Sequence, residues 1–224
     1  MDKKLNLLKS KQDECFLLMS KIISSFSSPV RLKLIHFLSQ SPLSVEVLSQ
    51  KIDQSIANTS MHLRKMLSDK VVKVEVVGTK RLYSLKPELK LFWEQSQDFC
   101  FKIDSSLKLP VEEIYGDINW NLPEKDTLSL LKNKEAILID VRPEDERPLN
   151  IEKLPDYVLH IPASQLKDRM NELPRRKKIL IMCRGRLCAL SAQTVHLLRA
   201  NDYKAYRLDK SWFLLSDSFK WDLV

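Results

Sequence analysis

Apolar residues recur along this chain in two rhythms. From Leu5 to Leu107 most of them fall at helical spacing, and from Ala136 onwards they come in short unbroken runs. The first rhythm predicts helices over Leu5–Phe26, Val30–Leu38, Ser44–Ile52, a segment opening at Ser55, and Pro87–Leu107. Ser28-Pro29 suits a helix start, with a hydroxyl at the cap and proline where its missing N–H costs nothing. Val30, Leu34, Phe37 and Leu38 then share a face, as do Val47, Leu48 and Ile52, and Asp53-Gln54 makes the turn that follows. In the segment from Ser55, the residues Ile56, Leu63, Met66 and Leu67 face a core, leaving Asn58, Thr59, Ser60, His62 and Lys65 outside. Two strands interrupt the helices, Val72–Val77 and Lys80–Leu85, around Gly78-Thr79. Glycine first in a two-residue loop fits a type II′ hairpin.

Two short helices about a tight turn, the second polar on its outer face, followed by a hairpin with a basic tip, make a winged helix-turn-helix. The later runs read differently. Ala136–Arg142, Ile179–Met182 and Lys204–Leu208 are buried strands alternating with helical stretches such as Ala189–Leu198. Strands separated by helices imply an α/β parallel sheet with helices on both faces, whose reactive groups collect at the carboxyl ends of the strands.

One such end carries Cys183-Arg184-Gly185-Arg186-Leu187-Cys188. Backbone N–H groups in a strand-to-helix turn, together with the positive end of the helix dipole, stabilise a thiolate or an anion on its sulfur. A cysteine there is built to react. Cysteine phosphatases and arsenate reductases need an arginine six positions after the cysteine, and that position here is Ala189, which counts against both. Cys188 opens the next helix, and two readings stand side by side: a thiol that resolves an adduct on Cys183, or a small buried residue.

Charge separates the halves. The chain has 224 residues and a net charge of +8. Residues 1–110 hold 18 Lys and Arg against 11 Asp and Glu, and residues 111–224 hold 19 against 18. The boundary is marked by Lys108-Leu109-Pro110 and the acidic pair Glu112-Glu113. A basic first domain points to a polyanion, nucleic acid before membrane. No apolar run approaches a membrane span and no leader is evident, so a cytoplasmic protein with reduced thiols is expected. Cys15 and Cys100 fall one on each flanking helix, where a redox pair and plain core packing are both open.

The stretch "SSPVRLKLIHFLSQSPLSVEVLSQKIDQSIANTSMHLRKMLSDKVVKVEVVGTKRLYSL", with "ANTSMHLRKM" its most specific part, resembles the ArsR family of bacterial repressors over roughly residues 24–85. The resemblance implies a homodimer on a palindromic double-stranded operator, with the flanking helices at the dimer interface. It makes Ser55, Asn58, Thr59, Ser60, His62 and Arg64 recognition-helix candidates, with Lys65 a cation beside them and Lys80 and Arg81 in the wing. The cysteine pairs and Asp/His sets through which members of that family hold metals are missing, so no metal is expected and no cofactor either.

From about residue 115 onwards, "ILIDVRPEDE", "HIPAS", "KKILIMCRGRLCALSAQTVHLLRANDY" and "AYRLDKSW" resemble, in order and spacing, a rhodanese domain. That resemblance implies sulfane-sulfur transfer from a donor such as thiosulfate or a persulfide. It makes Cys183 the persulfide-forming nucleophile, and Arg184, Gly185, Arg186, Leu187 and Cys188 the cradle for the anion. Departures fall at Ala163 and at Lys210-Ser211, where the family places glycines. A DNA reader joined to a sulfur-accepting cysteine suggests a sulfur-responsive regulator. The alternative is a sulfurtransferase enzyme with a DNA-binding module attached.

Overall fold

The computed structural model describes residues 2–104, 106–107, 114, 120–122, 124–146 and 157–208. The chain divides into two compact units, Met1–Glu94 and Gln95–Val224. The boundary expected between residues 110 and 111, and the Lys210-Ser211 turn, lie outside the described residues.

The first unit contains α1 (Asp2–Ser24), α2 (Pro29–Leu38), α3 (Val45–Lys51), α4 (Ile56–Ser68) and the hairpin β1 (Val72–Val77) and β2 (Lys80–Leu85). Helix α5 (Pro87–Ile103) begins in it. Pro29 opens α2 as its sequence predicts, although Ser28 caps through its extended backbone without a side-chain bond. The Ser44 and Ser55 hydroxyls each accept the N–H three residues on, from Val47 and Asn58, which starts α3 and α4. Asp53 turns between them at φ 54°.

Leu34, Ile35, Leu38, Leu48, Leu63 and Met66 are fully buried and form the centre of this unit. Two residues depart from the sequence pattern. Ile56, expected inside, is 53% exposed, and Thr59, expected outside, is fully buried. Ile56 is the first residue of α4, and the buried face of that helix is formed by Thr59, Leu63 and Met66. Thr59 can be buried because its hydroxyl donates to the Ser55 carbonyl at 2.9 Å, so no polar group is stranded.

The hairpin pairs Val72 with Leu85 through to Val77 with Lys80, and Gly78 turns at φ 61°. Its base is held by Leu43 and Tyr83, which exchange backbone bonds of 2.9 and 2.8 Å. The outer end projects into solvent, with Val76 72% exposed, and that exposure is what a wing requires.

The second unit is a four-stranded parallel sheet in the order β4-β3-β5-β6, formed by β3 (Ala136–Asp140), β4 (Val158–His160), β5 (Lys178–Met182) and β6 (Ala205–Arg207). Its described residues also include helices α6 (Glu124–Lys132), α7 (Leu166–Arg169) and α8 (Ala189–Arg199). Alternate strand residues go to opposite faces. Ile137, Ile139, Ile179, Ile181 and Cys183 pack with Leu166 of α7 and with Val195 and Leu198 of α8. Ala136, Leu138, Leu180 and Met182 pack with Leu130 and Leu131 of α6. Cover on both faces explains the unbroken apolar runs, since neither face meets water.

Candidate functional site

The sheet places Cys183 one residue beyond the end of β5, and Cys188 at the N-cap of α8. The two are joined as a disulfide with their Cα atoms 6.5 Å apart. Both are buried, at 0% and 2% exposure. Composition leads one to expect reduced thiols, so this bond is a departure. Closing so short a loop stabilises a fold less than closing a long one.

The turn between them needs its glycine: Gly185 sits at φ 93°, a region that side-chain-bearing residues avoid. The Cys188 N–H then donates to the Gly185 carbonyl at 3.1 Å. Leu187 lies between them, half-buried.

Both arginines of the loop are already paired. Arg184 forks onto Glu146, donating from Nε at 2.5 Å and from Nη2 at 2.7 Å, while its Nη1 faces Cys188 Sγ at 3.4 Å. Arg186 pairs with Asp98 at 2.9 Å and lies over the Phe101 ring, 5.6 Å from its centroid. The sequence predicts two cations aimed at an anionic donor. The structure instead gives each one a carboxylate, which makes the loop far less positive than its composition suggests.

A third arginine holds the loop from the sheet. Arg207 of β6, 3% exposed, donates from Nη2 to the carbonyls of Arg186 and Cys188, and from Nε to Ser191 Oγ at 3.0 Å. Arg142, Asp140 and His160 brace the neighbouring strand end. Arg142 donates to Asp140 at 2.9 and 2.7 Å, and His160 Nε2 lies 2.9 Å from the Arg142 carbonyl. Ala163 stands where a glycine is expected, and it keeps a negative φ, so that turn makes no demand for glycine.

On the first unit, the candidate interface is the outer face of α4 with the hairpin tip. Ser55, Arg64, Lys80 and Arg81 are exposed there, and Asn58, Ser60 and His62 are half-exposed. Asn58 donates to Gln54 Oε1 at 2.6 Å. Burial, and then the nearby Arg31 charge, lower the His62 pKa from 6.5 and favour the neutral ring. Two candidates are otherwise engaged. Thr59 is turned inward, and the Lys65 ammonium is bound to both oxygens of the buried Asp69, which also accepts from Ser25.

A family model described as a helix-turn-helix domain matches residues 26–75, the span from the end of α1 through α2–α4 into β1. Residues 26–75 are a helix-turn-helix domain. Among curated proteins, a helix-turn-helix-type transcriptional regulator of Mycobacterium tuberculosis, Rv0324, is 23% identical over 180 residues, covering 80% of this chain and 78% of that protein. A tRNA sulfurtransferase of Tolumonas auensis is 31% identical over 109 residues, covering 47% of this chain and 22% of that protein. Among solved structures, the homodimeric winged helix-turn-helix DNA-binding domain Mb0332 of Mycobacterium bovis aligns at 17% identity and a TM-score of 0.37, over 46% of this chain and 89% of that one. HlyU of Vibrio cholerae aligns at 23% and 0.35, over 37% and 91%.

Outside the helix-turn-helix domain, Cys15 on α1 and Cys100 on α5 are free, exposed thiols. Among the described residues, Glu146, Ser191, Asp98 and Arg207 also belong to the cysteine site, and no local sequence pattern points to the first three. Arg207 alone left a signal, as a cation inside the apolar run Ala205–Leu208. No described helix is long and apolar enough to cross a membrane.

Proposed function

We propose that this chain is a homodimeric, DNA-binding transcriptional repressor whose second unit, of rhodanese type, accepts sulfane sulfur on Cys183 and thereby weakens operator binding. One observation carries the reading: a helix-turn-helix domain with an exposed basic hairpin shares a chain with a cysteine pair at the carboxyl end of a parallel sheet. Ser55, Asn58, Ser60, His62 and Arg64 would meet the operator through the major groove, and Lys80 and Arg81 would follow the phosphates. The regulator from Mycobacterium tuberculosis supports the combination, because its match of 180 residues runs well beyond the helix-turn-helix domain.

Dimerisation is argued from exposed apolar faces. Leu5, Leu8, Phe16 and Met19 on α1, and Leu91, Phe92 and Phe99 on α5, are each more than 40% exposed. So much apolar surface in helices is commonly covered by a second copy.

A gel-shift titration with inorganic polysulfide tests the reading, comparing wild type with Cys183→Ser. Operator release by wild type alone is expected, and equal release by both proteins refutes a sensing role for Cys183.

A second reading, a working sulfurtransferase, is favoured by the match to the Tolumonas enzyme over about half of this chain. Sulfite released from thiosulfate in the presence of a thiol acceptor decides it. Repeated turnover supports the enzyme, and a single equivalent leaves the sensor.

A further inference from the structure

The Proposed function ends at a persulfide on Cys183, and the loop contains a group placed to take the reaction further. We propose that Cys188 reacts as a thiolate, held in that state by Arg184, and that it resolves the Cys183 persulfide into the Cys183–Cys188 disulfide with release of hydrosulfide. The proposal rests on the sulfur-accepting reading above and adds a resolving nucleophile and its positioning pair, Arg184 and Glu146.

Three observations support it. The Cα atoms of the two cysteines lie 6.5 Å apart, within the span a disulfide bridges, so an attack by Cys188 meets Cys183 Sγ, the inner sulfur of a persulfide. Arg184 Nη1 faces Cys188 Sγ at 3.4 Å, and a guanidinium at that range favours thiolate over thiol. Arg184 is fixed there by a fork onto Glu146, whose side chain is wholly buried. The fork onto Glu146 fixes the direction of the guanidinium. With it, Arg184 is a positioning residue for Cys188 more than a clamp for an external anion.

The step balances. A sulfane-sulfur donor gives its outer sulfur to the Cys183 thiolate and leaves as a thiolate or, from thiosulfate, as sulfite. The Cys188 thiolate then attacks Cys183 Sγ. The Sγ–Sγ bond forms, the bond from Cys183 Sγ to the outer sulfur breaks, and that sulfur departs as hydrosulfide with the persulfide proton. The outer sulfur is reduced, and the two cysteines are oxidised together. A low-molecular-weight thiol in excess reopens the disulfide in two exchanges.

The test follows full-length protein, reduced and then mixed with inorganic polysulfide, by mass spectrometry against time and pH. Wild type is expected to end as the disulfide with hydrosulfide released, and Cys188→Ser to retain one extra sulfur on Cys183. Arg184→Gln combined with Glu146→Gln removes both charges at once, so no buried carboxylate loses its cation. In that variant disulfide formation is expected to be about tenfold slower at neutral pH, with the inflection of its rate–pH profile about one unit higher. Simple loosening of the loop slows the reaction without moving the inflection. An unmoved inflection, or disulfide formation as fast as in wild type, overturns the positioning role. Absence of the extra sulfur in Cys188→Ser overturns the underlying persulfide reading instead, and this inference with it.

Discussion

Glu146 and Arg184 are 38 residues apart in the chain and meet as a two-bond ion pair, the carboxylate wholly buried and the guanidinium side chain 12% exposed. Removing one side of a buried pair costs roughly 3–5 kcal/mol, whereas replacing both sides with apolar groups of similar volume is often near neutral. Arg184→Met is therefore expected to lose about 3 kcal/mol or more of stability, and Arg184→Met with Glu146→Leu to recover most of it. Urea unfolding of the three proteins, read by circular dichroism, checks the ordering.

Helix α4 offers a sharper contrast between neighbours. Leu63 is fully buried while Met61, two residues earlier, is 52% exposed. Leu63→Ala is expected to cost about 2–5 kcal/mol and Met61→Ala no more than about 0.5 kcal/mol. Chemical denaturation of the two variants measures both.

The chain has three glycines, and several of its helices end on other residues held at positive φ. Lys70 follows α4 at φ 61°, and Lys134 follows α6 at φ 58°. Left-handed backbone is unfavourable for a side-chain-bearing residue, so Lys70→Gly and Lys134→Gly are each expected to stabilise by about 0.5–1 kcal/mol. A rise in thermal midpoint for both is the check.

His62 gives the first unit a pH dependence of known sign. Its folded pKa lies below 6.5, so the unfolded chain takes up the proton first as the pH falls. Its contribution to stability is present above about pH 6.5 and is lost on acidification towards the lower folded value. Unfolding curves between pH 7.5 and about pH 5 are expected to converge less steeply in His62→Gln than in wild type.

Charges at the proposed DNA interface are not equivalent. Lys80→Ala and Arg81→Ala are each expected to lower the slope of log affinity against log salt by about one. Lys65→Ala is expected to leave that slope nearly unchanged while destabilising the fold, because its ammonium is bound to Asp69. Fluorescence anisotropy across a salt series separates the two behaviours.

Much of the fold is legible in the sequence. The runs Ala136–Arg142 and Ile179–Met182 announce strands buried on both faces, and Gly78-Thr79 announces the hairpin. β4 escaped because three residues are too few to show a period. Thr59 reads as outward-facing in the sequence because a threonine counts as polar until its hydroxyl finds the Ser55 carbonyl, a bond that exists only once the helix has formed. The sequence shows the cations of the Cys183 loop without their counterions for a related reason. Arg184 and Arg186 are visible in the loop, but Glu146 and Asp98 reach it through tertiary contact, which local pattern does not record.

Arg207 reaches out from the sheet to hold the carbonyls of Arg186 and Cys188, and neither contact involves a sulfur. Opening or closing the Cys183–Cys188 bond therefore leaves the main chain of the loop tethered at both points. The guanidiniums of Arg184 and Arg186 project from that tethered backbone, and Arg184 Nη1 lies 3.4 Å from Cys188 Sγ, the side-chain contact nearest to the sulfur chemistry.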